Sequence, residues 1–249
     1  MTQPFKFKQF TIHQDRCAMK IGTDGVLLGG WISLENNPES ILDIGTGTGI
    51  IALMLAQRST ATLIDALEID DDAYEQATEN FENSDWGDRL FCYHASFNEF
   101  AEEMSAEGMK YDLIVSNPPF HEPNLSPSTS RQNNEEPSHQ RKMARFYDAL
   151  PFSGLLEGIS KLLASEGKFN VILPKTEETA FLKSAENFGL FPHKITWVKG
   201  NKDAIIKRSL IEFGFRKIKF EPEILIIEIS RHHYTDEYKN LVADFYLKM

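Results

Sequence analysis

The tetrapeptide Asn117-Pro118-Pro119-Phe120 combines the residue types in this chain best suited to chemistry on a ligand. It follows Tyr111-Asp112-Leu113-Ile114-Val115-Ser116, an apolar run that reads as a buried strand, so the four residues emerge where a strand ends. Two consecutive prolines fix φ and remove two backbone donors, and Pro118 keeps Asn117 out of the helical region. The turn is therefore stiff and extended. It leaves the Asn117 amide and the carbonyls beside it free to meet a ligand, with the Phe120 ring alongside. Such groups suit a planar, amine-bearing partner. As a bare pattern the same residues also make an ordinary turn, because Asn-Pro starts turns and Pro-Pro punctuates strands.

A second constellation lies upstream. Ile41-Leu42-Asp43-Ile44-Gly45-Thr46-Gly47-Thr48-Gly49 reads as a strand entering a glycine-rich turn and then a helix. Glycines there allow close backbone approach to a ligand, and the helix N-terminus behind them favours polar or anionic groups. Glu68, in Ala66-Leu67-Glu68-Ile69-Asp70, ends the next strand about twenty residues on, where a carboxylate accepts both hydroxyl protons of a ribose. An adenosine-containing cofactor follows. The spacing Gly-x-Gly-x-Gly departs from the Gly-x-Gly-x-x-Gly that cradles a pyrophosphate, and an acidic Asp43 repels a diphosphate. The same Asp43 attracts, directly or through water, the cationic amino-acid end of S-adenosylmethionine. That cofactor is favoured over a dinucleotide, and a methyl transfer over a dehydrogenase.

The elements that must position these groups alternate through the first two thirds of the chain, which implies βαβ units and a parallel sheet. Strands are expected at 40–44, 63–69, 90–94, 111–116 and 167–173, with helices at 50–57, 70–83 and 151–164. Beyond them, 195–198, 209–215 and 223–229 are strand candidates without an intervening helix, so antiparallel pairing is expected there. Residues 234–248 suit a closing helix. Gly22-Thr23-Asp24-Gly25 reads on its own as a turn. Residues 121–145 are polar, contain Pro123, Pro127 and Pro137, and end in Arg141-Lys142-Met143-Ala144-Arg145. A loop of that length beside a candidate site suggests a substrate-gripping segment in which Arg141, Lys142 and Arg145 meet the substrate.

With 249 residues, 41% of them hydrophobic, the chain can bury one α/β core, and a single domain over 1–249 is expected. Cys17 and Cys92 lack metal-ligand spacing, no zinc site is visible, and adjacent His232-His233 reads as surface, so no metal is expected. No leader-like apolar segment opens the chain and no stretch approaches the about 18 to 20 apolar residues of a membrane helix, which points to the cytoplasm and away from a membrane. Net charge is −11 but unevenly distributed. Residues 60–112 hold fifteen acidic and two basic side chains, whereas 199–219 hold seven basic (Lys199, Lys202, Lys207, Arg208, Arg216, Lys217, Lys219) and two acidic. The acidic block reads as a solvated face. The basic block, with Lys207 and Arg208 at its centre, is a candidate nucleic-acid contact.

Taken together, these motifs resemble the class I S-adenosylmethionine-dependent methyltransferases, within the amino-methylating branch marked by Asn-Pro-Pro-aromatic. Lys20-Ile21-Gly22-Thr23-Asp24-Gly25-Val26-Leu27-Leu28 and the segments Tyr234-Thr235-Asp236-Glu237-Tyr238 and Asp244-Phe245-Tyr246-Leu247 are similar to the bacterial valine-tRNA adenine-N6 methyltransferase family. The resemblance spans essentially the whole chain. It implies a Rossmann-like fold: a mixed, mostly parallel seven-stranded sheet with helices on both faces and an antiparallel C-terminal hairpin. It also implies methylation of the adenine beside the anticodon, with the tRNA anticodon loop as partner. Asn117 and Pro118 would then accept the amine protons, Phe120 would stack on the base, and positioning would supply most of the rate. The cofactor would meet Asp43, Gly45, Gly47, Glu68 and Asn117. Thr23 and Asp24 join that pocket through an N-terminal extension at 1–36, and Ser96 stands where the family usually has an acidic contact to the cofactor's adenine. The tetrapeptide alone specifies an amine on a flat group. Ribosomal RNA, DNA adenine or a release-factor glutamine therefore remain alternative acceptors, and a non-catalytic RNA-binding module is a remoter one.

Overall fold

A computed structural model describes residues 3–118 and 151–248. Pro119, Phe120 and the expected substrate loop, with Arg141, Lys142 and Arg145, lie outside the described residues. Among the described residues the principal sheet has nine strands: β3 (Ser40–Ile44), β4 (Leu63–Glu68), β5 (Leu90–His94), β6 (Tyr111–Ser116), β7 (Leu163–Pro174), β8 (Phe191–Asn201), β9 (Ile206–Gly214), β10 (Glu223–Ser230) and β11 (His233–Tyr234). Their order is β11-β10-β8-β9-β7-β6-β3-β4-β5, and a separate two-stranded sheet joins β1 (Phe5–Lys6) to β2 (Thr11–Ile12). The sheet is mixed and mostly parallel, as expected, but exceeds the expected seven strands by two.

Alternation along the strands sends side chains to two cores. Ile41, Leu113, Ile172 and Leu210 face α1 (Thr23–Trp31), α2 (Ile50–Arg58), α3 (Asp71–Glu82) and α7 (Asp236–Val242). Their neighbours Leu42, Ile114, Val171 and Ile211 face α4 (Phe97–Ala106), α5 (Phe152–Leu162) and α6 (Glu178–Glu186). The helices are opened by local chemistry where the sequence offers it. Asp70 caps α3 by accepting from the Ala73 N–H, with Asp71 and Asp72 in the first turn, where the helix dipole favours acids.

Helix α1 takes the place of the turn expected at Gly22–Gly25. Gly25, Gly29 and Gly30 give it a poor intrinsic tendency to form, and Gly22 caps it without a side chain. Packing explains the glycines. A Cβ on Gly29 would stand 2.7 Å from the Met54 sulfur, and one on Gly30 would stand 2.6 Å from the Leu241 carbonyl oxygen. Tertiary contact with α2 and α7 therefore holds a helix that propensity disfavours.

The C-terminal strands pair differently from expectation in one respect. β9 is antiparallel to both β7 and β8, but β10 lies on the far side of β8 and parallel to it, so the link after β9 must cross β8. The closing helix is confined to Asp236–Val242, shorter than the expected 234–248.

Candidate active site

Strands β3 to β7 are parallel, so their carboxyl ends share one edge of the sheet. The chain runs outward from β3 through β4 to β5 and returns to β6 on the other side of β3, which makes the β3/β6 gap the switch point where open α/β sheets bind ligands. Register brings the two constellations together at that gap. Ile44 pairs with Ser116, and the Ser116 hydroxyl donates to the Ile44 carbonyl at 2.9 Å, so Gly45 and Asn117 leave the sheet side by side. Ile44 also pairs with Leu67, and the Leu67 carbonyl accepts from the N–H groups of both Gly45 and Thr46 at 2.9 Å, so Glu68 emerges on the other flank.

Glu68 shapes the turn from within. One carboxylate oxygen accepts from the Gly47 N–H at 2.9 Å and the other from Ile69 and Asp70 at 2.8 and 2.9 Å. Burial nevertheless pushes its carboxyl upward against those three donors. Gly45, Gly47 and Gly49 take φ of 72°, 58° and 82°, a region L-residues seldom adopt. At Gly49 a Cβ would also strike the Phe81 ring at 2.5 Å, whereas at Gly47 nothing lies within 4 Å of that position. Gly47 therefore offers bare backbone to a ligand.

Asp43 is fully buried beneath this turn. Its Oδ2 accepts from the Thr46 hydroxyl at 2.7 Å and the Ala52 N–H at 3.2 Å, while Oδ1 has no partner among the described residues. Burial pushes the carboxyl up to about 7, against the pull of those two bonds and with the Glu68 charge adding to the rise. An unpartnered buried acceptor of this kind suits a cationic group. Across the gap Asn117 is half-buried, and its side chain has no hydrogen-bond partner among the described residues, while Pro118 is buried.

The remaining expected site residues are placed as follows. Ser96 is the N-cap of α4: its hydroxyl accepts from the Glu99 N–H at 3.3 Å and donates to the Glu99 carboxylate at 2.7 Å. Thr23 and Asp24 open α1, Thr23 exposed and Asp24 joined to Arg208, whose Nε donates to Asp24 Oδ2 at 2.8 Å. A residue assigned from the sequence to the cofactor is thus paired with one assigned to the substrate. Among the described residues no group of three or more His, Cys, Asp or Glu could hold a metal ion, and no helix is long and apolar enough to cross a membrane.

Sequence reasoning missed the fastening of residues 13–21. The Asn80 side chain accepts from the His13 N–H and donates to the His13 and Thr48 carbonyls, each at 2.9 Å, while Gln76 accepts from the Arg16 N–H at 3.2 Å. Lys20 closes the segment by donating to the carbonyls of Gln14 and Cys17. The segment passes near Glu68, whose charge is the largest cause, after burial, of a Cys17 thiol pushed up to about 12. Gln76 and Asn80 lie on the buried stripe of α3 with Ala73, Ala77 and Phe81. Two amides on an apolar stripe are the signal that was there to be read.

This fold, with an acidic strand end, a glycine turn and an Asn-Pro turn at one switch point, is that of the methyltransferases. Residues 27–132 match the family model of the methyltransferase small domain. The crystal structure of a predicted O-methyltransferase from Agrobacterium tumefaciens shares the fold, with a TM-score of 0.64 at 16% identity over 89% of this chain and 96% of that one. The chain is 61% identical over 247 residues to the Christiangramia forsetii protein named tRNA1(Val) (adenine(37)-N6)-methyltransferase, covering 99% of each. It is 55% identical to the Flavobacterium psychrophilum protein of the same name, over 98% of this chain and 100% of that one. The chain belongs to the tRNA1(Val) (adenine(37)-N6)-methyltransferase family.

Proposed function

We propose that the protein transfers a methyl group from S-adenosylmethionine to the exocyclic amine of adenine 37 in a valine tRNA, the activity for which its relatives are named. The observation that carries this reading is the Asn117 side chain, without a partner among the described residues, leaving the sheet beside Gly45. An amide at that place accepts an amine proton on its oxygen, and the Pro118 carbonyl is the natural second acceptor. Together they hold the amine so that its lone pair, otherwise delocalised into the ring, points across the gap. Orientation of this kind supplies most of the rate without an acid–base group.

The residues on the other side fit the cofactor. Gly45 and Gly47 present backbone that a side chain would block, Glu68 suits the ribose hydroxyls, and the bare Oδ1 of Asp43 suits the amino-acid cation. When bound, S-adenosylmethionine supplies an electrophilic methyl group. Because an anticodon loop is single-stranded, presenting its base costs less than flipping one out of a duplex.

The test is incubation with labelled cofactor and total tRNA lacking the modification, followed by digestion to nucleosides. Labelled N6-methyladenosine is expected. Label in another nucleoside, or none, overturns the reading. In the same assay Asn117→Ala should lower turnover by at least about 100-fold while cofactor affinity stays within about twofold. Parallel loss of cofactor binding would assign Asn117 to the cofactor pocket instead.

A further inference from the structure

The basic block at 199–219 is continuous in sequence but divided in space. β9 carries Lys207 and Arg208 at its first residues and ends at Gly214, so Arg216, Lys217 and Lys219 lie at the opposite edge of the sheet. Six residues of strand, Ser209–Gly214, about 20 Å, separate the two groups. Only the first group shares an edge with Asn117. Pro174, at the carboxyl end of β7, pairs with Arg208, and the Lys175 N–H donates to the Lys207 carbonyl at 3.0 Å. Asn201, at the end of β8, pairs with Glu228 near the end of β10, which brings Arg231 to the same edge.

The charges at this edge differ in availability. Arg208 is held by Asp24, and Lys175 by the buried Glu178, which also accepts from Trp197 Nε1 at 2.9 Å and from the Ser209 hydroxyl. These bonds brace β7, β8 and β9 against one another. The hairpin tip beyond is itself fixed: Asn201 Oδ1 accepts from the N–H groups of Asp203 and Ala204, and Lys199 Nζ donates to the Lys202 carbonyl at 2.7 Å. Lys202, Lys207 and Arg231 project from this braced edge, exposed, with no side-chain partner among the described residues. The carboxylates beside them are Asp203 and Glu228. At the far edge, by contrast, Arg216 bonds Glu166 and Lys217 lies over the Phe191 ring at 4.5 Å.

We infer that Lys202, Lys207 and Arg231 form a phosphate-contacting surface for the RNA arm that carries the acceptor base, and that Arg216, Lys217 and Lys219 take no part. β9, β8 and β10 stand two, three and four strands from β6, about 10 to 20 Å laterally, so the backbone flanking a base held at Asn117 reaches this rim and not the opposite edge. Cations without side-chain partners among the described residues, on a braced edge, are suited to phosphates, which position a substrate without reading its sequence.

This inference rests on the proposed RNA substrate, and its test keeps the two apart. An anticodon stem-loop RNA is titrated against the full chain at several salt concentrations, together with methylation and cofactor binding. The triple variant Lys202→Glu/Lys207→Glu/Arg231→Glu should weaken RNA binding at least about 100-fold and lower the slope of log affinity against log salt by about 2 to 3. Its melting temperature and cofactor affinity should match the wild type. Lys217→Glu/Lys219→Glu should leave RNA affinity within about twofold. Equal losses in both variants, or none in the triple variant, would overturn the surface assignment while leaving the methylation reading intact. Absence of methylation by the wild type, with RNA bound, would overturn that reading and leave the surface standing.

Discussion

Asp43 has one oxygen bonded and the other bare, and its raised pKa has a measurable consequence. Below about pH 4 the carboxyl is protonated in folded and unfolded chains alike. Between that value and about 7 the unfolded chain gives up its proton while the folded chain keeps it, so this residue lowers stability as pH rises and levels off above about 7. Asp43→Asn removes the slope. Its melting temperature should therefore gain on the wild type from pH 4 to 7, which a denaturation series in matched buffers reads directly. Cofactor affinity should move the other way: a cation favours the ionised carboxyl, so wild-type binding should tighten as pH rises to about 7, and the variant should bind weakly at every pH. A flat wild-type profile by calorimetry would mean that Asp43 meets no cation. The strand-end residues Asp43, Gly45, Gly47, Glu68 and Asn117 were legible because each sits where a local pattern changes from strand to turn. The Asp24–Arg208 pair was not, since its members lie 184 residues apart and only the sheet register makes them neighbours.

At the level of elements, the segment at 13–21 depends on α3 more than on itself. Asn80 satisfies the backbone of His13 and of the glycine turn at Thr48 with one side chain. Asn80→Ala leaves those buried groups unpaired, at a cost of about 2 to 4 kcal/mol, and should loosen the segment before the rest unfolds. Asn80→Asp keeps the shape but sets a carboxylate oxygen against two carbonyls, so it should not rescue. Trypsin cleavage after Arg16 and Lys20 should accelerate at least about tenfold in both variants, with cofactor affinity reduced in parallel. Cleavage that merely tracks global unfolding would remove any special role for the segment. The parallel strands β3 to β6 and the helices α2, α3 and α5 were readable from periodicity, whereas α4 and α6 were not expected. Helix α1 was hidden by glycines that serve its neighbours, and the crossover into β10 was hidden because the short link after Gly214 looks like a hairpin loop although it crosses β8.

Across the whole molecule, residues 7–8 meet residues 243–246 beside α7, which packs on α1. Lys8 donates from its backbone to the Phe245 carbonyl at 2.8 Å and from Nζ to the Ala243 carbonyl at 2.6 Å, and Phe7 packs on Tyr246 with ring centroids 5.7 Å apart. α7 in turn lies so close to α1 that Gly30 has no room for a side chain below Leu241. The segments whose resemblance narrowed the family thus form one packed layer, and α1, at the other end of which Asp24 holds Arg208, connects that layer to the rim of the site. A disturbance at Gly30 should therefore spread unevenly. Gly30→Val must displace the backbone of α7, at about 1 to 3 kcal/mol of overpacking. Hydrogen exchange should quicken in 5–12 and 236–246 together, although they are far apart in sequence, while β4 and β5, at the other end of the sheet from the β10 on which α7 packs, keep their protection. Uniform acceleration across all strands would show that the two ends belong to the same cooperative unit as the central sheet. The expected pattern instead makes the terminal layer a separable support, whose loosening reaches the site through α1 and should raise the KM for cofactor before it lowers the melting temperature.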